Sequence, residues 1–149
     1  MRKDMKKTVN DILRRKGNDV WSVRPDQSIY EALQLMDAKN IGAVLVMESD
    51  SIAGIFSERD YARKVVLKGK ASRETSVGEA MSRRVNCVKP ENTIEECMAL
   101  MTDKHVRHLP VLEEEKVVGL VSIGDVVQAK ISEQEFMIEQ LESYITGVR

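Results

Sequence analysis

Gly54-Ile55-Phe56-Ser57-Glu58-Arg59-Asp60 reads as the end of a buried strand, a tight exit and the start of a helix. Ser57 stands where a helix N-cap belongs, and Asp60 follows three residues later. That spacing is a capping box: the serine accepts from the first turn while the carboxylate reaches back to the cap's own N–H. A helix N-terminus at the carboxyl end of a strand also presents free N–H groups to an anion. One short segment can therefore start a helix, hold a phosphate and offer a carboxylate to ribose hydroxyls.

The segment occurs again as Gly119-Leu120-Val121-Ser122-Ile123-Gly124-Asp125. The offset is constant: 119 − 54, 122 − 57 and 125 − 60 all equal 65. It holds further back without a gap, pairing Val20 with Val85, Val23 with Val88, Pro25 with Pro90, Ile29 with Ile94, Leu35-Met36 with Leu100-Met101 and Val46 with Val111. Chance similarity between amphipathic segments does not keep Gly, Ser, Asp and Pro in register, so the unit is duplicated. Two copies are too few for an open solenoid, which needs three or more repeats. The simpler expectation is two similar units packed about a pseudo-two-fold axis.

The 149 residues suffice for one compact module with a sizeable core. Apolar residues make up 42% and charged residues 32%, ordinary for a globular protein. A net charge of −1 gives no general attraction to nucleic acid or to acidic membranes. Charges alternate in sign except in the basic start Arg2-Lys3-Lys6-Lys7, which reads as a solvated terminus. There is neither a long apolar run nor the apolar centre of a secretory signal. Two cysteines make no disulfide framework, so Cys87 and Cys97 read as reduced, structural thiols of a cytoplasmic protein.

Along the chain, Thr8 to Leu13 reads as a short helix with Thr8 as cap and Gly17 as stop; its counterpart begins at Ser76, at an offset of 68 (76 − 8). Val20 to Val23 is a brief extended piece closed by Arg24-Pro25. A helix is predicted from about Ile29 to Lys39, ended by Asn40. Ile41 to Met47 is an apolar run of strand length, covered on both faces, and Ile52 to Phe56 returns antiparallel to it. Ser57 opens a second helix to about Leu67, and residues 68–75 form a linker. The second copy repeats this: a strand near Val85 to Val88, a helix from Ile94 to Lys104, strands from Val106 to Leu112 and Lys116 to Val121, and a helix from Ser122. That last helix runs on with an apolar stripe (Ile131, Met137, Ile138, Leu141, Tyr144, Ile145) that must be buried against its own core or against a second copy of the chain.

With tandem β-α-β-β-α units, an S-x-x-D at each strand-to-helix exit and a Val-x-Pro before each first long helix, the chain resembles a CBS-domain pair, or Bateman module. The resemblance spans roughly Thr8 to Lys130 and is closest in kind to the stand-alone CBS-pair proteins of bacteria and plant organelles. It implies an α/β (α+β) fold with the first repeat in residues 1–75 and the second in 76–149, each with its leading short helix. It also implies a homodimer and an adenosine ligand in the cleft between repeats: AMP first, then ATP, ADP or NAD(H), with S-adenosylmethionine also known in the family.

Carried over by motif, Asp60 and Asp125 each take the ribose hydroxyls of one nucleotide, since a carboxylate can accept two hydrogen bonds from a vicinal diol. Ser57 and Ser122 hold phosphate at the helix starts. Trp21-Ser22-Val23 and Asn86-Cys87-Val88 wall the adenine, with Cys87 a weaker donor than the threonine usual there. The resemblance also implies that Arg107 and His108, at the start of a strand in repeat two, reach the phosphate held by the Asp60 motif, to which Arg59 adds a cation. The Asp125 site faces Gly42 and Ala43, and Gly124 replaces the motif's arginine. Because Arg grips phosphate with a charge-assisted fork and Gly cannot, the Asp60 site is expected to prefer a charged nucleotide and the Asp125 site to bind more weakly.

Blander readings stand beside these. Each Ser-x-x-Asp can be a capping box alone. His105 and His108 have no Cys or carboxylate cluster to complete a metal shell. Ser122, His108 and Asp125 make no hydrolase triad without a nucleophile elbow. Trp21 serves the core or the cleft. The expected function is therefore a non-enzymatic regulatory module, without catalytic or metal site, that senses an adenosine nucleotide and signals through its dimer or an unidentified partner protein. The alternative is a ligand-free scaffold with the same fold.

Overall fold

The computed structural model describes residues 6–146; Arg2 and Lys3 of the basic start lie outside them. The chain forms two compact units, one of Asp19–Asn86 and one joining the described residues up to Asn18 to those from Cys87 onward. This differs from a division at residue 75. Helix α1 (Val9–Lys16) belongs with the second repeat, and α4 (Val77–Ala80) belongs with the first.

The glycine before each Ser-x-x-Asp explains the exchange. A Cβ on Gly54 would lie 2.6 Å from the Ser82 carbonyl oxygen and 2.7 Å from the Met81 sulfur, just after α4. A Cβ on Gly119 would lie 2.6 Å from Leu13 Cδ2 of α1. Each glycine is thus the floor on which a short helix seats, Gly54 against backbone and Gly119 against the tip of Leu13. The seat is sealed by apolar contacts: Val77, Ala80 and Met81 join one core, and Val9, Ile12 and Leu13 join the other. Backbone bonds repeat the pattern, Val77 N–H to Gln27 O at 2.8 Å and Val9 N–H to Asn92 O at 2.8 Å.

In the first unit, β1 (Ser22–Val23) pairs parallel with β2 (Ala43–Glu48), which pairs antiparallel with β3 (Ser51–Ser57). Ala43 to Val46 are wholly buried, as a strand covered on both faces requires. Helix α2 (Ile29–Lys39) buries Ile29, Ala32 and Met36 and ends at Asn40 in the left-handed region (φ 55°). After β3 comes the helical turn α3 (Glu58–Asp60), which continues as a π-helix over Tyr61–Val66. The expected α-helix to Leu67 therefore gives way to a wider turn, seen in the i→i−5 bond from Leu67 N–H to Ala62 O at 3.0 Å. The wider turn keeps Val65 buried and leaves Val66 and Leu67 exposed.

The second unit repeats the plan. Helix α5 (Ile94–Lys104) ends at His105 (φ 57°), 65 positions after Asn40 (105 − 40), so this histidine occupies a left-handed cap. Strands β4 (His108–Glu113) and β5 (Lys116–Ser122) pair antiparallel, and a single parallel bridge, Val88 to Val111, stands where β1 stood. Both hairpins carry an irregularity at the same place, Val46/Met47 and Val111/Leu112. Helix α6 (Ile123–Thr146) is about 36 Å long at 1.5 Å per residue. Its first turns pack on the core through Val126 and Ala129, and Glu133 accepts the Lys7 backbone N–H at 2.9 Å. Beyond that point Phe136, Met137, Ile138, Leu141, Tyr144 and Ile145 are exposed, so the stripe is not covered by its own core. Among the described residues, no helix is long and apolar enough to cross a membrane.

Candidate functional site

Both capping boxes form as the spacing predicts. Ser57 N–H donates to Asp60 Oδ2 at 3.0 Å and Asp60 N–H donates to Ser57 Oγ at 3.2 Å. Ser122 N–H donates to Asp125 Oδ2 at 2.8 Å and Asp125 N–H donates to Ser122 Oγ at 3.2 Å. The two carboxylates then part company.

Asp60 is buried, and its second oxygen, Oδ1, accepts from Ser82 Oγ at 2.9 Å and pairs with Lys64 Nζ at 3.2 Å. Its partners come from its own helical segment and from Ser82, two residues after α4. Asp125 keeps 23% of its side chain exposed, and its cation comes from α1: Lys16 Nζ donates to Oδ2 at 2.7 Å and to the Leu120 carbonyl at 2.9 Å. Asp125 opens onto a cavity of about 590 Å³ between α1 and the start of α6, lined by Lys7, Asp11, Arg15, Lys16 and Ser122 among others.

The local cation shortage inferred from Gly124 thus does not hold. Gly124 lines the same cavity, with open space beside it, and three α1-side cations stand around that space. Sequence reasoning missed them because Lys16 and Asp125 are 109 positions apart. Lys64, in contrast, stands four residues after Asp60, a spacing at which helical side chains meet.

Arg107 and His108 lie in the unit of Asp125. The antiparallel hairpin sets His108 opposite Ser122, and the Arg107 carbonyl accepts Ile123 N–H at 2.9 Å. Asp60, which the resemblance assigns to them, is in the other unit, where Ala43 opposes Ser57 and the Gly42 carbonyl accepts Glu58 N–H at 3.1 Å. Burial holds His108 below the ordinary imidazole value; Asp125 pulls the other way, and Lys16 and Arg107 add to the lowering. Arg59 and Arg107 are exposed, and Ser57 and Ser122 are half-buried.

The predicted adenine walls are divided. Ser22 is exposed, whereas Val23 and Val88 are buried in the cores of their units, which leaves only their backbones for a ligand. Trp21 carries Lys39 Nζ 4.1 Å above its ring, a cation–π contact. Cys87 is half-buried and its thiol is pushed up by that burial; Cys97 is buried and raised to about 11, by burial first and Glu96 second. Both thiols are thus protonated and poorly reactive near neutral pH.

Comparison with known proteins bears on the whole arrangement. The model of the CBS domain family matches residues 9–67 and 77–132. The Arabidopsis thaliana protein named "CBS domain-containing protein CBSX3, mitochondrial" is 37% identical over 150 aligned positions, covering 94% of this chain and 72% of its own length. A solved structure, a putative signal-transduction protein with CBS domains from Burkholderia ambifaria, is 47% identical with a TM-score of 0.82, covering 86% of this chain and 96% of its own. The CBS domain pair of protein MJ0100, solved with 5-methylthioadenosine and S-adenosyl-L-methionine, shares the fold at 22% identity and a TM-score of 0.76, over 86% of this chain and 98% of its own.

Proposed function

Because the chain belongs to the CBS-domain family and carries two such domains, we propose that it is a regulatory module, without catalysis of its own, that binds adenosine nucleotides at its Ser-x-x-Asp helix starts. The observation that carries this reading is the Asp125 helix start, where a partly exposed carboxylate, a serine and the cations of α1 line one open cavity. A carboxylate beside cations suits a ribose diol joined to a phosphate. The adenosine compounds bound by the MJ0100 pair support the same ligand class. AMP is the first expected ligand, followed by ATP, ADP and NAD(H). Signalling follows from population shift: a nucleotide favours whichever arrangement of the chain it binds more tightly. The exposed stripe of α6 is the surface proposed to join two copies. The cytoplasm is the proposed compartment.

Thermal melting with AMP, ATP, NADH and S-adenosylmethionine tests the reading, because a ligand of the native state raises the melting temperature. An unchanged melt with all four, confirmed by titration calorimetry, leaves the scaffold reading. That second reading has its own support in Asp60, whose carboxylate is buried and already bonded through both oxygens. We keep as a proposal the family assignment of Arg107 to the Asp60 motif: on it, Arg107→Ala and Asp125→Ala should lower AMP affinity unequally, and equal losses in the two variants would end that division of roles.

A further inference from the structure

Lys16 is the last residue of α1, and its ammonium holds the very carboxylate that the proposed function assigns to ribose. Asp125 Oδ2 already accepts the Ser122 N–H at 2.8 Å, and Lys16 adds a second donor to the same oxygen at 2.7 Å. A diol that is to use both oxygens of Asp125 meets Oδ2 already occupied by these two donors. An ammonium has three donors, and two of those of Lys16 are used, on Asp125 and on the Leu120 carbonyl. Its side chain is 38% exposed, so it is free to swing without unpacking a core.

We propose that Lys16 is the specificity-determining residue of the Asp125 site, moving from the carboxylate onto the ligand's phosphate and so selecting phosphorylated adenosine over the neutral nucleoside. The inference rests on the nucleotide reading of this site and adds the group that enforces it. A phosphate replaces the carboxylate as partner of the ammonium, so Asp125 is released to the ribose without leaving a bare cation. Adenosine brings no anion and must compete with the ion pair. Lys7 and Arg15, on the same cavity wall, extend the cationic track toward further phosphates. Gly124 contributes space: a Cβ there would meet only Ser122 Oγ at 3.6 Å. The first unit is built differently: the cation on Asp60 is Lys64 of the same helix, and Ser82, after the equivalent short helix, brings a hydroxyl to the same oxygen.

The test is calorimetric titration of the full chain with AMP and with adenosine, for the wild type, Lys16→Met, Lys16→Arg, Asp125→Asn and the Lys16→Met/Asp125→Asn pair. Thermal melts of each variant verify folding. Lys16→Met is expected to weaken AMP about tenfold or more while adenosine holds or tightens, since a charge-assisted bond is lost and a carboxylate is freed. Lys16→Arg should keep AMP binding; in the Asp125→Asn background Lys16→Met should still weaken AMP, because the phosphate contact is lost, while any gain for adenosine vanishes because there is no carboxylate to free. Unchanged AMP affinity in Lys16→Met, or equal losses for AMP and adenosine, overturns the role of Lys16 and leaves the nucleotide reading standing. Wild-type protein that binds neither compound overturns both.

Discussion

Asp60 and Asp125 end the same motif, follow the same hairpin and close the same capping box, yet one is locked and the other is open. In the first unit a lysine four residues on (Lys64) and the serine after α4 (Ser82) fill Oδ1. In the second unit the position equivalent to Lys64 is Ala129 (129 − 64 = 65), and the cation arrives from α1. Duplicated sequence therefore conserves the cap and lets the outer partner of the carboxylate diverge. A buried carboxylate bonded through both oxygens serves stability, while a partly exposed one whose outer partner is a single exposed ammonium is available for exchange.

The strongest test of this contrast is stability. Asp60→Ala strips a buried carboxylate from Ser57, Ser82 and Lys64 and is expected to cost about 2–4 kcal/mol, against about 1 kcal/mol for Asp125→Ala, read from urea midpoints at constant slope. Equal losses would show that the two caps do the same job. Next in size are the helix seats. Gly54→Ala drives a methyl into the Ser82 backbone and should cost about 2 kcal/mol, whereas Gly119→Ala meets the movable tip of Leu13 and should cost about 1 kcal/mol. A reversed order would mean that α1 sits on a stiffer floor than α4.

Smaller effects follow. Lys64→Met removes a partly exposed ion pair and is expected to change stability by less than about 1 kcal/mol. The smallest is a pH effect confined to the second unit, where His108 stands in the place of Ala43 (108 − 43 = 65). Burial lowers the His108 pKa in the folded chain, so the unfolded chain takes up the proton first as pH falls. Stability should therefore decline as pH drops through the ordinary imidazole value of about 6.5, and His108→Gln should flatten that part of the curve in denaturation series. An identical slope in the variant would place the acid sensitivity elsewhere.

Much of this was legible in the order of residues. The offset of 65 follows from the sequence alone, as do the two S-x-x-D caps and the hairpins between apolar strands, because capping and strand patterning act over three to eight neighbours. The helix wide enough to be π over Tyr61–Val66 was not legible, nor was the exposure of the α6 stripe, since both depend on what packs against the helix and not on its own periodicity. Val23 and Val88 show the same limit: a motif can place a residue at a site, but only packing tells whether its side chain faces a ligand or the core.

From its sequence by itself, this protein was determined to be a doubled unit with two carboxylate-bearing helix starts. Tertiary structure alone decided that the first helix serves the second repeat and that Lys16, 109 residues away, closes the ion pair on Asp125. The physical reason is range. Hydrogen-bonded caps are satisfied within one turn, whereas a bare glycine floor and an open carboxylate are filled by whatever the folded chain brings to them from afar.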